Sequence, residues 1–478
     1  MRIIGREAEK RVLESCLKST KPEFVALYGR RRVGKTFLVR EYFKNTLCFH
    51  LTGTYRQSMK TQLAYFNAAM QIYGGASFTA ASKAHNWQEA FLRLIELLEN
   101  TSVRIKGKRV VFFDELAWLD TPRSGFLSAL EHFWNDWGST QPDLILIICG
   151  SASSWIVNKV FKNRGGLHNR ITRRIRLEPF SLSECDAYFK DSGIDYDKAS
   201  VAQSYMVFGG IPYYLNLFDS ELSVPQNIDL LCFDTSAALK NEFEELYASL
   251  FKNAGCHISI VRALATVKRG LTRNELIEQT GLPSGGSLTE VLEELEESGF
   301  IRCLEDYSGV SARYLYQLTD FFSLFYLTYM QDARHKGPRY WGAFQGSASF
   351  NNWQGYSFEL LCLMHIEAIK DRLGISGVMT STWSWRDPKP GSNLQIDLVI
   401  DRNDNVIDLC EMKYARQPFT IDKEYKERLL ERREVFIERT RTDKTVRLVM
   451  ITRKGIKANS HSHIIQRTLT LEDLWERR

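Results

Sequence analysis

Over roughly the first 180 residues, short apolar runs alternate with longer stretches whose apolar positions recur at helical spacing. The runs Phe24–Tyr28, Leu47–Leu51, Val110–Phe113 and Leu144–Cys149 have the length and continuity of strands buried on both faces. Strands that alternate with helices predict a parallel sheet wrapped by helices, an α/β fold. Residues 181–254 read as helical, with the turn Gly209-Gly210-Ile211-Pro212 in the middle. Residues 255–336 hold three short amphipathic segments, His257–Lys268, Arg273–Gln279 and Ser287–Ser298, then two extended runs, Ile301–Leu304 and Tyr314–Leu318. Three small helices and a hairpin in that order predict a winged helix, its second helix capped by Thr272. A connector rich in glycine and aromatic residues, 337–352, opens the last region, 337–478. There a helix at about 355–372, strands Gln395–Asp401 and Val406–Lys413, a charged helix at about 422–439 and a strand Arg447–Thr452 predict a second α/β unit.

Composition narrows the class. With 478 residues, 44% apolar and 25% charged, the chain has the balance of a globular protein of several domains. Its longest apolar stretches, such as Phe321–Met330, fall short of the roughly 20 residues of a membrane helix. The first ten residues carry charges where a signal peptide has an apolar core, so a cytoplasmic location without membrane contact is expected. Nine dispersed cysteines with no CxxC pair fit reduced thiols rather than disulfides or zinc, and the histidines form no metal-spaced pair. The net charge of +6 is unevenly placed: from Glu411 onward 17 lysines and arginines face 11 acids, and Arg164–Arg176 holds five arginines and no acid. Such basic surface suits a nucleic acid, and equally a plain solvated face.

Gly29-Arg30-Arg31-Arg32-Val33-Gly34-Lys35-Thr36, followed by Phe37, fits G-x-x-x-x-G-K-[ST] between a strand and a helix. Glycines let the backbone N–H groups turn toward phosphates at a helix N-terminus. Lys35 then neutralises the β- and γ-phosphates of ATP, and Thr36 ligates Mg²⁺. The buried run ending in Asp114-Glu115 places two carboxylates at the same sheet edge, Asp114 for the Mg²⁺ shell and Glu115 to polarise water. Ser151, on the turn leaving Leu144–Cys149, is the candidate sensor of the γ-phosphate, with a structural turn as the other reading.

In the C-terminal region Asp397 and Glu411 lie 14 positions apart around a turn, so a hairpin sets them roughly opposite, and Lys413 shares a face with Glu411. Two carboxylates and a lysine converging there are suited to holding Mg²⁺ and stabilising charge on a phosphate, with Glu359 from the preceding helix to complete the shell.

Gly5-Arg6-Glu7, GRRRVGKT, FFDE, ICGSAS and GGIPYYL together resemble the archaeal-type ATPases of the AAA+-like STAND group of P-loop NTPases. That resemblance implies an ATP- and Mg²⁺-dependent ATPase with a helical lid, in which Gly210 and Pro212, with Gly209, lie near the nucleotide; a simple turn between helices is the alternative. It also implies an arginine finger, for which Arg170 is the candidate and Arg164 its rival, and assembly into a homo-oligomer. The order helix-Glu, strand-Asp, Glu-x-Lys resembles the PD-(D/E)XK restriction-endonuclease-like fold, although Ile396 stands where a proline is common. The candidate recognition helix of the winged helix is acidic, with Glu290, Glu293, Glu294, Glu296 and Glu297, and poorly suited to lie against phosphates. The expectation is an ATPase whose nucleotide state controls a metal-dependent nuclease-like domain acting on DNA or RNA. The alternative is a STAND-type switch for a protein partner with a C-terminal domain that binds nucleic acid without cutting it.

Overall fold

The computed structural model describes residues 2–74, 83–151, 153–162, 165–167, 169–267, 270–306, 313–332, 339–387, 389 and 391–475. The chain divides into two compact units, residues 1–179 and 180–478.

In the first unit, β1 (Glu23–Tyr28), β2 (Leu47–Thr52), β3 (Arg109–Asp114), β4 (Leu144–Gly150) and β5 (Arg173–Arg176) form one parallel sheet in the order β2-β3-β4-β1-β5. The β3 and β4 strands are buried at every position, as a sheet covered on both faces requires. After the leading helix α1 (Glu7–Lys18), crossovers run through α2 (Lys35–Tyr42), α3 (Met59–Gly74) and α4 (Trp87–Asn100); the apolar sides of α3 and α4 join a core around Phe49, Phe66, Trp87, Phe91, Phe113 and Phe126. The four strands expected from the apolar runs are present to within a residue at each end. The fifth was hidden in the basic run. In Arg173-Arg174-Ile175-Arg176 only Ile175 is buried, and the three arginines face outward on an edge strand, where charge discourages unwanted pairing.

The second unit opens with helices Leu182–Asp191, Lys198–Phe208, Pro212–Leu215, Val224–Ile228 and Glu242–Leu250. Helices Ala254–Ala265, Arg273–Thr280 and Gly286–Glu297 follow, with β6 (Leu271–Thr272), β7 (Ile301–Asp306) and β8 (Arg313–Leu318). Thr272 caps the second of these helices through a capping box with Glu275. The last region adds β9 (Thr380–Arg386), β10 (Gln395–Arg402), β11 (Val406–Lys413), β12 (Thr445–Thr452) and β13 (Arg467–Thr470). The two groups of strands form a single eight-stranded sheet, β13-β12-β11-β10-β9-β7-β8-β6, joined by the pair Asp306–Ser384. The pattern missed β9 and β13.

Two segments pack differently from the expectation. Residues 339–352 are no loose connector: Trp341 is fully buried against Phe325, Tyr329 and Trp353, and Asp229 accepts from the N–H groups of Trp341 and Gly342. The helix expected at 355–372 is two helices, Ala348–Met364 and Ile366–Leu373, broken at His365.

His365 explains the break. Its Nδ1–H donates to Leu361 O at 2.9 Å, and its Nε2 accepts the N–H of Leu182 at 3.2 Å, satisfying an orphan donor at the start of another helix. Burial pushes its pKa down from 6.5 to about 4. The imidazole is neutral in the folded chain, while the unfolded chain takes up its proton near pH 6.5. Its contribution to stability is therefore complete above pH 6.5 and is lost as the pH falls toward 4. Urea titrations of the parent and His365→Gln check this: between pH 7 and pH 5 the parent loses about 2 kcal/mol more than the variant.

Candidate functional site

The strand order of the first unit sets the site. Since β4 lies between β1 and β3, with Tyr28 beside Gly150 and Phe113 beside Ile148, the carboxyl ends of all three strands reach one edge of the sheet, the edge at which ligands bind in open α/β sheets. The loop Gly29–Gly34 leaves β1 there. Gly29 has φ +133, and a Cβ on it would sit 2.4 Å from Leu177 O, so no other residue fits. Gly34, at φ 91, begins α2, and no side chain caps that helix end. An uncapped N-terminus below a glycine turn is a seat for an anion.

Lys35 is buried, and its Nζ donates to Gly29 O at 2.8 Å and Arg30 O at 2.7 Å. Burial pulls its pKa below the ordinary lysine range, and Asp114 and Glu115 offset part of that pull. Thr36 reaches across β4: its Oγ1 donates to Asp114 Oδ2 at 2.7 Å. Glu115 adopts the left-handed region, φ 47, and its Oε2 accepts from both the Oγ (2.8 Å) and the N–H (3.2 Å) of Ser151. Lys35, Thr36, Asp114, Glu115 and Ser151 thus form one connected edge. Arg30 and Val33 are buried in the loop, Arg31 and Arg32 are partly exposed, and Phe37 faces out from α2. The uncapped helix end, the lysine stored on loop carbonyls and the hydroxyl–carboxylate pair fit a nucleotide triphosphate with Mg²⁺.

Three supporting residues lay outside the expected set. Arg6, in the left-handed region at φ 60, is buried and donates to Val33 O and Glu178 O, tying the entry to α1 to the phosphate loop. Only its place in the Gly5-Arg6-Glu7 motif marked it. At Gly53 a Cβ would meet Glu115 O at 2.5 Å, and Gln62, fully buried, donates to Thr54 O and Trp118 O. Together they fix the turn that carries Glu115, and no sequence pattern pointed to either.

Arg170 is exposed on the turn before β5, next to Thr172, whose N–H bonds Phe24 O near the start of β1. That is the end of the sheet opposite the phosphate loop, so Arg170 does not face the phosphate site of its own chain. Arg164 lies outside the described residues. Gly210 and Pro212 belong to the second unit. A Cβ on Gly210 would meet Phe180 O at 2.3 Å, and Pro212 opens the helix Pro212–Leu215.

In the second unit β10 and β11 pair with Leu398 opposite Cys410, which sets Asp397 against Glu411 one step further on. A β-bulge in β10 against β9 falls between Ile396 and Val399, re-aiming Asp397. Asp397 Oδ2 accepts from Met412 N–H at 3.4 Å. Burial, with Glu411 and Glu359 close by, pushes its carboxyl well above the usual range. Glu411 behaves oppositely. Burial alone would raise it, but Lys413 and Arg432 together hold it below the ordinary value. Its Oε1 meets Lys413 Nζ at 2.9 Å and Tyr425 OH at 2.8 Å, and its Oε2 meets Arg432 Nη1 at 2.7 Å. Tyr425 and Arg432, both on the helix Lys423–Thr440, were not foreseen, because that helix reads as uniformly charged. Glu359 is half-buried on the helix Ala348–Met364, which packs on β11. Among the described residues no three carboxylate, histidine or cysteine side chains stand together as a metal shell. Glu359 and Glu411 both act on Asp397, while Glu411 is also held by two cations and a phenol.

Comparison with known proteins agrees with the first of these sites. Residues 3–218 match the family described as an ATPase domain predominantly from Archaea. An uncharacterized protein of Methanocaldococcus jannaschii, MJECL04, is 24% identical over 251 residues, 51% of each chain, so the chain spans about half the length of this curated relative. Among solved structures, the Walker-type ATPase PABY2304 of Pyrococcus abyssi superposes with a TM-score of 0.51 at 19% identity, covering 68% of this chain and 96% of that one. The Aeropyrum pernix ORC2 protein, in ADPNP–ADP complexes, gives 0.40 at 14% identity over 72% and 96%. The first part of the chain therefore matches an archaeal-type ATPase domain and has the parallel sheet of the P-loop ATPase fold. No helix among the described residues is long and apolar enough to cross a membrane.

Ser151→Ala removes the hydroxyl that orients Glu115 while leaving the phosphate loop intact. It lowers the rate of ATP hydrolysis roughly 10- to 100-fold and changes ATP–Mg²⁺ affinity less than about threefold, since the hydroxyl bonds Glu115 and not the phosphate loop. Steady-state kinetics and calorimetry on the same preparation check both halves.

Proposed function

We propose that the chain binds and hydrolyses ATP and that its nucleotide state controls a C-terminal nuclease-like module acting on DNA or RNA. The observation that carries the ATPase part of this reading is the sheet edge where Thr36 bonds Asp114 and Ser151 bonds Glu115, with Lys35 beside them on the loop carbonyls of Gly29 and Arg30. Lys35 exchanges the carbonyls of Gly29 and Arg30 for phosphate oxygens, and Thr36 and Asp114 hold Mg²⁺. The ion, when bound, supplies the charge that offsets the phosphates and the leaving group. Glu115 accepts the proton of the attacking water, oriented by the Ser151 hydroxyl, while the bond between the γ-phosphorus and the bridging oxygen breaks to leave ADP and phosphate. Arg170, exposed and away from its own site, is suited to reach the phosphates of a second copy, which makes a homo-oligomer part of the reading.

A second reading has its own support. Glu411 is held by Lys413, Tyr425 and Arg432, so the C-terminal carboxylates are arranged as a charge-compensated network more than as an open metal site. That favours a nucleotide switch acting on a protein partner, with a C-terminal unit that grips nucleic acid without cutting it.

Incubation with plasmid, linear and single-stranded DNA and with RNA, in Mg²⁺ or Mn²⁺ and with or without ATP, separates the two. The first reading expects cleavage that is abolished in Lys413→Ala and loses its ATP dependence in Lys35→Ala. Binding and ATP hydrolysis without cleavage would establish the switch. In thermal melting ATP–Mg²⁺ at 100 times its Kd stabilises the parent by about 2.7 kcal/mol and leaves Lys35→Ala unmoved; no shift in the parent overturns the nucleotide site.

A further inference from the structure

Beneath the helix Ala348–Met364 the eight-stranded sheet borders a part-open cavity of about 60 Å³ with a mixed polar and apolar lining. Four strands line it: β7 and β8 by the two-residue alternation of a sheet face, β9 and β10 with consecutive residues beside the bulge. On β7 and β8, Arg302 and Gln317 lie opposite each other, and Arg302 Nε and Nη2 both donate to Gln317 Oε1, at 2.9 and 2.5 Å. The charge of Arg302 is thus met by an amide. No carboxylate forms an ion pair with it among the described residues, and burial pushes its pKa down to about 10. On β9, Ser384 and Arg386 line the same space, and Ser384 Oγ is buried with no hydrogen-bond partner among the described residues. The wall opposite carries Asp397 from β10 and Glu359 from the helix.

A half-buried guanidinium whose bonded nitrogens meet only a neutral group gains when an anion enters. The planar guanidinium fork also matches a tetrahedral oxyanion better than any other side chain. We propose that this cavity receives one phosphate of a nucleic-acid strand, gripped by Arg302 and Arg386 beside Asp397 and Glu359. This rests on the reading of the C-terminal unit as a module that engages nucleic acid. It deepens that reading in two ways: the β7–β8 hairpin supplies part of the same site, and recognition is through the backbone rather than base sequence.

The test uses the full chain carrying Lys35→Ala, so that the ATP site does not compete, in EDTA. Calorimetry is run with inorganic phosphate, then with a short oligothymidylate bearing a 5′-phosphate or a 5′-hydroxyl. Phosphate is expected to bind, and Arg302→Gln and Arg386→Gln each weaken it at least about tenfold, or 1.4 kcal/mol, while Arg302→Lys recovers part of the loss. Tighter binding of the 5′-phosphorylated strand identifies a strand end as the source, and equal binding of both strands an internal phosphodiester. Melting curves show which variants fold, and Arg386→Gln carries the test if Arg302→Gln does not. Equal affinities in the parent and both glutamine variants, or no binding by a folded parent, overturn the pocket. A parent that binds phosphate through Arg302 yet cuts nothing keeps the pocket and ends the nuclease reading. A parent that cuts with the same KM after Arg302→Gln does the reverse.

Discussion

The bond from Thr36 Oγ1 to Asp114 Oδ2 crosses a strand, and the chemistry of the first unit depends on that crossing. The interposed strand, β4, sets the distance between the phosphate loop and the two carboxylates and delivers Ser151 between them. A parallel sheet makes this possible because all its strands end in the same direction, so three residues far apart in sequence share one edge. The supports around that edge follow from the same constraint. Gly53 permits the close approach of the turn after β3, Gln62 clamps that turn, and Arg6 braces the loop from the far side. Arg32 and Glu115 adopt positive φ here without being glycines, a conformation that persists only where the surroundings over-determine it.

The second unit solves a different problem, the burial of charge. Glu411 is surrounded by donors and held below its ordinary value, while Asp397, one strand away, is buried beside two other carboxylates and is pushed toward its neutral form. Two carboxylates on neighbouring strands are thereby given opposite characters by environment alone, which is how one scaffold separates acid from base behaviour. The bulge at Asp397 and the helix carrying Tyr425 and Arg432 create that difference. A continuous sheet from β13 to β6 then joins these carboxylates to the hairpin that carries Arg302.

Much of this was legible along the chain, and the limit is physical. Where a feature is local, the pattern found it: the strand–loop–helix around Lys35, the cap at Thr272, the apolar run ending in Asp114. Edge strands escaped because an edge needs few apolar residues: β5 has a single buried side chain, and β13 has four residues with one. Trp341 escaped because an aromatic-rich stretch with glycines looks like a linker until its neighbours are known.

The sequence by itself determined the phosphate-loop chemistry, the α/β class and the hairpin that sets Asp397 against Glu411, because turn geometry and the two periodicities act between residues close in the chain. Only the tertiary structure decided that Tyr425 and Arg432 close on Glu411, that Arg170 stands at the far end of its own sheet, that His365 caps a helix 183 positions away, and that Arg302 is left with an amide for a partner. Each of these is a contact between distant segments, and burial and electrostatics act on whatever the fold brings within a few ångströms, whatever the separation in sequence.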